Sequence, residues 1–176
     1  MGQVMGKINL SRLKNCMVRA EKGEELTIGF FGGSITQGSL ATENARRLTI
    51  REISPELEGF RADTGEKTGH LDHFKNGWIG KKPGDKITFE VEASCIAVQY
   101  KKNIHKPALR ARMILDGDET NVILLDANFE EDWGDCLYLE PVLYHGEKKT
   151  HTVEIEILPN GNEEVTPFYL TSLIVA

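Results

Sequence analysis

Thr150-His151-Thr152-Val153-Glu154-Ile155-Glu156-Ile157-Leu158 is the stretch on which the fold turns. Successive side chains of an extended chain point to opposite sides, so Val153, Ile155 and Ile157 share one face and Thr152, Glu154 and Glu156 the other. A strand divided this way has one dry face and one wet face, as in an antiparallel sheet with one side in water. The same period begins at Lys86, where Ile87, Phe89 and Val91 alternate with Thr88, Glu90 and Glu92. Between and beyond these stretches, Ile96–Tyr100, Leu109–Leu115, Asn121–Leu125, Leu137–Leu139 with Val142–Tyr144, and Phe168–Val175 read as further strands. Asp116-Gly117 supplies a strong hairpin signal. Pro141 argues against one continuous central strand there, because it cannot donate to a ladder. Phe168–Val175 reads as buried on both faces.

About seven or eight short strands with regular turns are best satisfied by two packed sheets. The expected fold is therefore mainly β: an antiparallel β-sandwich, jelly-roll-like, over residues 85–176, with a partly open barrel as the alternative. Residues 58–84 read as a polar, Gly-rich connector. Residues 1–57 read as a small N-terminal helix–strand α/β appendage. In it Leu10, Leu13, Met17 and Ala20 recur at helical spacing, Leu26–Phe31 forms a short apolar strand, and Glu43–Ile53 forms a loose second helix ended by Ser54-Pro55.

Composition narrows the function. The 176 residues carry a net charge of −6, which disfavours nucleic acid and anionic lipid as partners. No apolar run is long enough for a membrane helix, and the first residues lack a signal-peptide core. Cys16, Cys95 and Cys136 are odd in number and widely spaced, which fits buried free thiols in a reducing, cytoplasmic setting. No cofactor is called for. His70-x-x-His73 and the acidic turn Asp116, Asp118, Glu119 are weak metal motifs, and solvent-facing histidines and a hydrated hairpin account for them, so no metal is expected. Arg110 and Arg112 read as one hydrated strand face with opposite charges beside it. Trp78 and Phe74 read as pins holding the connector to the sandwich.

One stretch carries chemistry. Leu26–Phe31 runs straight into Gly32-Gly33-Ser34-Ile35-Thr36-Gln37-Gly38. A sharp turn after a strand can present the Ser34 hydroxyl, and amides near Gly33, Ser34 and Gly38 can stabilise an oxyanion or hold another anion. A plain strand–turn accounts for the same residues. The stretch is not G-x-S-x-G, and no Gly-Lys-Ser/Thr makes it a P-loop. A second concentration is Asp126-Ala127-Asn128-Phe129-Glu130-Glu131-Asp132-Trp133-Gly134-Asp135. There Trp133 could stack on a sugar while Asp126 and Asp132 accept its hydroxyls, or the Trp could plug the end of the sandwich.

The block Leu26–Gly38, with the lead-in Arg19–Glu25, resembles the first conserved block of the SGNH (GDSL-like) hydrolases, in the form Gly-Gly-Ser-Ile-Thr. The region from His73-Phe74-Lys75-Asn76-Gly77-Trp78 onward resembles the accessory β-sandwich that some members carry. That family has a flavodoxin-like α/β catalytic domain and deacylates esters, often acetylated sugars. The resemblance implies Ser34 as nucleophile, with its amide in the oxyanion hole. The family's Gly-x-Asn-Asp and Asp-x-x-His blocks do not occur in the chain, and none of its five histidines follows an aspartate by three residues. A serine hydroxyl needs an oriented base, for which His73 and His70 are the candidates. The expectation is thus a truncated or vestigial SGNH-like protein, lacking the middle of the catalytic domain and full catalytic machinery, with a sandwich that binds carbohydrate. The alternatives are an active serine esterase or deacetylase on small acyl esters or acetylated sugars, and a structural module forming homo-oligomers through Leu26–Phe31.

Overall fold

A computed structural model describes residues 18, 22, 45–69, 73–161 and 164–176. The chain divides into two compact units, Met1–Leu40 and Ala41–Ala176. In the first, only Val18 and Lys22 are described, both exposed. The expected N-terminal helix and the strand Leu26–Phe31 otherwise lie outside the described residues.

The second unit is built of strands: β1 (Arg46–Leu48), β2 (Glu56–Glu58), β3 (Arg61–Ala62), β4 (Trp78–Gly80), β5 (Lys86–Ala93), β6 (Ile96–Lys102), β7 (Arg110–Leu115), β8 (Ile123–Asp126), β9 (Cys136–Leu143), β10 (Lys149–Ile157) and β11 (Phe168–Val175). Among the described residues from 45 onward there is no helix. One sheet has the order β3-β4-β11-β6-β9 with β1 also paired to β11; the other has the order β2-β5-β10-β7-β8. Every strand pairing is antiparallel.

The alternation in β5 and β10 sets their register. Val153 lies opposite Phe89 and Ile155 opposite Ile87, all four wholly buried, while Glu154 and Glu156 line up outside with Thr88 and Lys86. Phe168, Leu170, Leu173 and Val175 of β11 meet them from the facing sheet in one core. Trp78 of β4 crosses that core edge-to-face onto Phe89, centroids 5.1 Å apart. Each such buried side chain contributes about 1.5–3 kcal/mol relative to exposure. The outer face carries ion pairs, Arg112 with Glu156 at 2.6 Å and Lys86 with Glu58 at 2.9 Å, as the charge pattern of β7 anticipated.

Several local expectations change. The helix over Glu43–Ile53 does not form. Arg46–Leu48 pairs instead with Leu173–Val175, and the helical signal shrinks to one turn. Ile53 N–H donates to the Thr49 carbonyl at 3.1 Å, and Thr49 N–H donates to the Glu52 carboxylate at 2.8 Å. That is the reciprocal bond of a helix start, cut short by Pro55. The stretch read as an irregular connector contributes β3 and β4, and Trp78 is only 1% exposed. The expectation that Pro141 bars a central strand holds: β9 runs through it as an edge strand, where a missing donor costs no ladder bond.

Candidate functional site

Beyond β8 the chain loops through Ala127–Asp135 before entering β9, and the loop is tied down at both ends. Asn128 N–H and Nδ2 donate to Asp126 Oδ1 at 2.9 and 2.7 Å. The Asn128 amide imitates a strand partner: its Oδ1 accepts from Ala108 N–H at 2.9 Å and its Nδ2 donates to the Ala108 carbonyl at 3.1 Å. Buried Asn103 adds two backbone bonds, its N–H to Ala127 and its carbonyl from Phe129. At the far end Asp135 accepts from Lys101 Nζ at 2.6 Å and from Ile104 N–H at 3.1 Å. Burial alone would raise the Asp135 carboxyl; the Lys101 ammonium and the Ile104 amide outweigh it and hold the group below the ordinary carboxylate range.

On this rigid footing Trp133 stands out from the surface, 69% exposed, touching the Phe129 ring edge-to-face at 5.3 Å. It does not plug the sandwich. The buried aromatics are others, among them Tyr100 and Phe168, stacked at 5.5 Å. Burial pushes the Tyr100 phenol up, and the Glu140 carboxylate and Tyr138 and Asp126 beside it add to the shift. Of the two carboxylates expected beside Trp133, Asp132 is exposed and free of bonds among the described residues, whereas Asp126 Oδ1 is committed to Asn128. The indole therefore offers an apolar face with an unengaged carboxylate next to it in sequence.

Gly33, Ser34, Gly38 and His70 lie outside the described residues. His73 is exposed and makes no hydrogen bond, ion pair or ring contact among them. The loop carrying it is closed at its base by a clamp that no sequence pattern announces. Tyr169 Oη donates to Asp63 Oδ2 at 2.7 Å and accepts from Gly77 N–H at 3.2 Å, while Asp63 N–H donates to the Gly77 carbonyl at 2.8 Å. Phe74 sits under Lys101 Nζ, 5.0 Å from its ring centre.

A second unforeseen pair was legible in principle. The period-two rule that puts Val153 inside also puts His151 inside. The ring is 3% exposed and its Nδ1 lies 2.8 Å from Asp116 Oδ2. Asp116 Oδ1 in turn accepts from Thr152 N–H at 2.9 Å. Burial opposes ionisation of Asp116, but the Thr152 amide and the imidazole prevail and hold the carboxyl below the ordinary carboxylate range. The acidic turn thus spends two of its carboxylates internally, since Asp118 likewise accepts from Thr120 and Asn121. Among the described residues no three His, Cys, Asp or Glu side chains converge as metal ligands. Cys95 and Cys136 are free thiols, half-buried rather than buried, and burial pushes the Cys136 thiol up. No helix among the described residues is long and apolar enough to cross a membrane.

No protein-family model and no curated protein matches the chain. Among solved structures it is similar to a two-domain esterase (CEX) active on acetylated mannans. The likeness is 36% identity, covering 94% of this chain and 45% of that one, with a TM-score of 0.72. The same esterase co-crystallized with mannopentaose aligns at 35% identity over 94% and 44% of the two chains, again with a TM-score of 0.72. The chain thus spans less than half the length of the esterase it matches. Ala41–Ala176 alone would be 136 of 176 residues, so a 94% match must reach into the N-terminal unit as well. This overturns the expectation of a truncated or vestigial remnant. The segments read from sequence as two ends with the middle missing align, over 94% of the chain, with an esterase active on acetylated mannans.

Proposed function

We propose that the chain is part of a serine esterase that removes acetyl groups from carbohydrate, with an acetylated mannan as the substrate class. The observation that carries this reading is the 35–36% identity over 94% of the chain to an esterase active on acetylated mannans. Ser34 is the nucleophile. Its hydroxyl gives its proton to an imidazole, for which His73 and His70 are the candidates, as Oγ attacks the acetyl carbonyl. Amides around Gly33, Ser34 and Gly38 receive the oxyanion. The sugar leaves as its alcohol, taking the proton, and water releases acetate from the acetyl-serine.

The jelly-roll-like sandwich presents the polysaccharide. An exposed indole on a loop pinned at both ends is a pre-ordered stacking surface that loses little entropy on binding. Trp133 is that surface, Asp132 accepts sugar hydroxyls, and Asp126 holds the loop through Asn128. The unpaired cysteines favour a reducing compartment.

The test is acetate release from acetylated mannan. The unchanged protein should release it, Ser34→Ala should abolish release, and His73→Ala or His70→Ala, whichever removes the base, should lower kcat by orders of magnitude. Release that persists in Ser34→Ala would end the proposal.

A further inference from the structure

A lysine paired with an acid in open water adds little to a fold, because solvent screens the attraction. Lys106 with Glu130 and Lys148 with Glu92 are pairs of that kind, their glutamates well exposed. Lys101, near the end of β6, is different. Its Nζ meets Asp135 Oδ2 at 2.6 Å, with the two side chains 23% and 25% exposed. No other lysine ion pair among the described residues lies so far out of water.

The same Nζ stands 5.0 Å from the centre of the Phe74 ring. An ammonium over an aromatic face is drawn to the ring's negative face, and more strongly where water is partly excluded. One cation thus holds two segments that are far apart in sequence. Asp135 closes the loop that carries Trp133 and takes a second bond from Ile104 N–H at 3.1 Å. Phe74 directly follows His73 in the chain. Three residues on, Gly77 is fixed by its N–H to Tyr169 Oη at 3.2 Å and by its carbonyl from Asp63 N–H at 2.8 Å. The clamp at Gly77 and the ring on Lys101 together determine where the backbone delivers His73.

We infer that Lys101 is a positioning residue, which holds the segment presenting His73 and the loop presenting Trp133 in one arrangement. The inference rests on the reading of His73 as the base and of Trp133 as the sugar-stacking surface. Lys101 touches neither side chain; it acts on the first through Phe74 and on the second through Asp135. Methionine at this position would fill the same space without the charge that both partners need. Arginine would keep the charge, since a guanidinium both pairs with a carboxylate and stacks on an aromatic face.

The experiment has two readouts on the full chain. Labelling with 5-fluorotryptophan places one fluorine on exposed Trp133 and one on Trp78, 1% exposed in the core. In Lys101→Met the Trp133 fluorine resonance should move while that of Trp78 stays, and Lys101→Arg should bring it back. The second readout is acetate release from acetylated mannan. Phe74→Leu should lower kcat about tenfold with KM unchanged, Asp135→Asn should raise KM with kcat unchanged, Lys101→Met should do both, and Lys101→Arg should restore both. A Trp133 resonance unmoved by Lys101→Met, a Trp78 resonance moving with it, or failure of Lys101→Arg to rescue would overturn the inference. If the unchanged protein releases no acetate, the esterase reading fails, and the fluorine resonances alone decide for or against Lys101.

Discussion

Trp133 and His151 are opposites. One large side chain is left in water, and one titratable side chain is taken out of it. Trp133 is 69% exposed, with its ring against Phe129, so Trp133→Ala should change stability by no more than about 0.5 kcal/mol, measured by urea denaturation. It should weaken affinity for acetylated manno-oligosaccharides by roughly tenfold, about 1.4 kcal/mol, measured by calorimetry. A large loss of stability with unchanged affinity would make it a structural residue. For His151, Asp116→Ala leaves a buried ring nitrogen without its partner and should destabilise the fold by about 1–3 kcal/mol. The pH dependence follows from the sign of the shift. Asp116 is more acidic folded than unfolded, so its contribution is complete above the ordinary carboxylate range and is lost as pH falls through the lower folded value. Thermal melts of wild type and Asp116→Ala should therefore differ near neutrality and converge in strong acid.

At the scale of elements, the long strands were legible and the short ones were not. β5 and β10 declare themselves because each has one dry and one wet face over eight or nine residues. β1, β2 and β3 have two or three residues each, too few to show a period; β1 and β2 pair with the long strands β11 and β5, and β3 with the short β4. β4 is equally short, yet it carries Trp78 and Gly80 into the core. A Cβ at Gly80 would stand 2.8 Å from Phe60 Cζ and 2.9 Å from Ile157 Cγ1. Gly80→Ala should accordingly cost about 1–3 kcal/mol by overpacking, and Phe89→Ala opposite Trp78 about 3–5 kcal/mol by leaving a cavity. Both are read from denaturant midpoints; a neutral Gly80→Ala would show that β4 is looser than described. The loop carrying Trp133 was visible as an aromatic among acids, but its stiffness was not. Asn128 bonding to Ala108, twenty residues away, leaves no local pattern. The clamp of Tyr169 on Asp63 spans 106 residues and is equally silent in the sequence.

At the scale of the whole molecule, the sandwich lies within one compact unit, Ala41–Ala176, and the enzymatic reading rests on Ser34. The block around that serine resembles a hydrolase block, and the chain is similar over 94% of its length to an esterase active on acetylated mannans. The absent family blocks do not mark a vestigial remnant: the chain is 36% identical, over 94% of its own length and 45% of that one, to an esterase active on acetylated mannans. The most direct measurement is the covalent state of Ser34 after exposure to a fluorophosphonate probe, mapped by peptide mass spectrometry. An activated serine should carry the adduct at Ser34 in the folded protein and lose it in urea and in the Ser34→Ala variant. No adduct at Ser34 in the folded protein, or labelling that survives Ser34→Ala, would contradict the account.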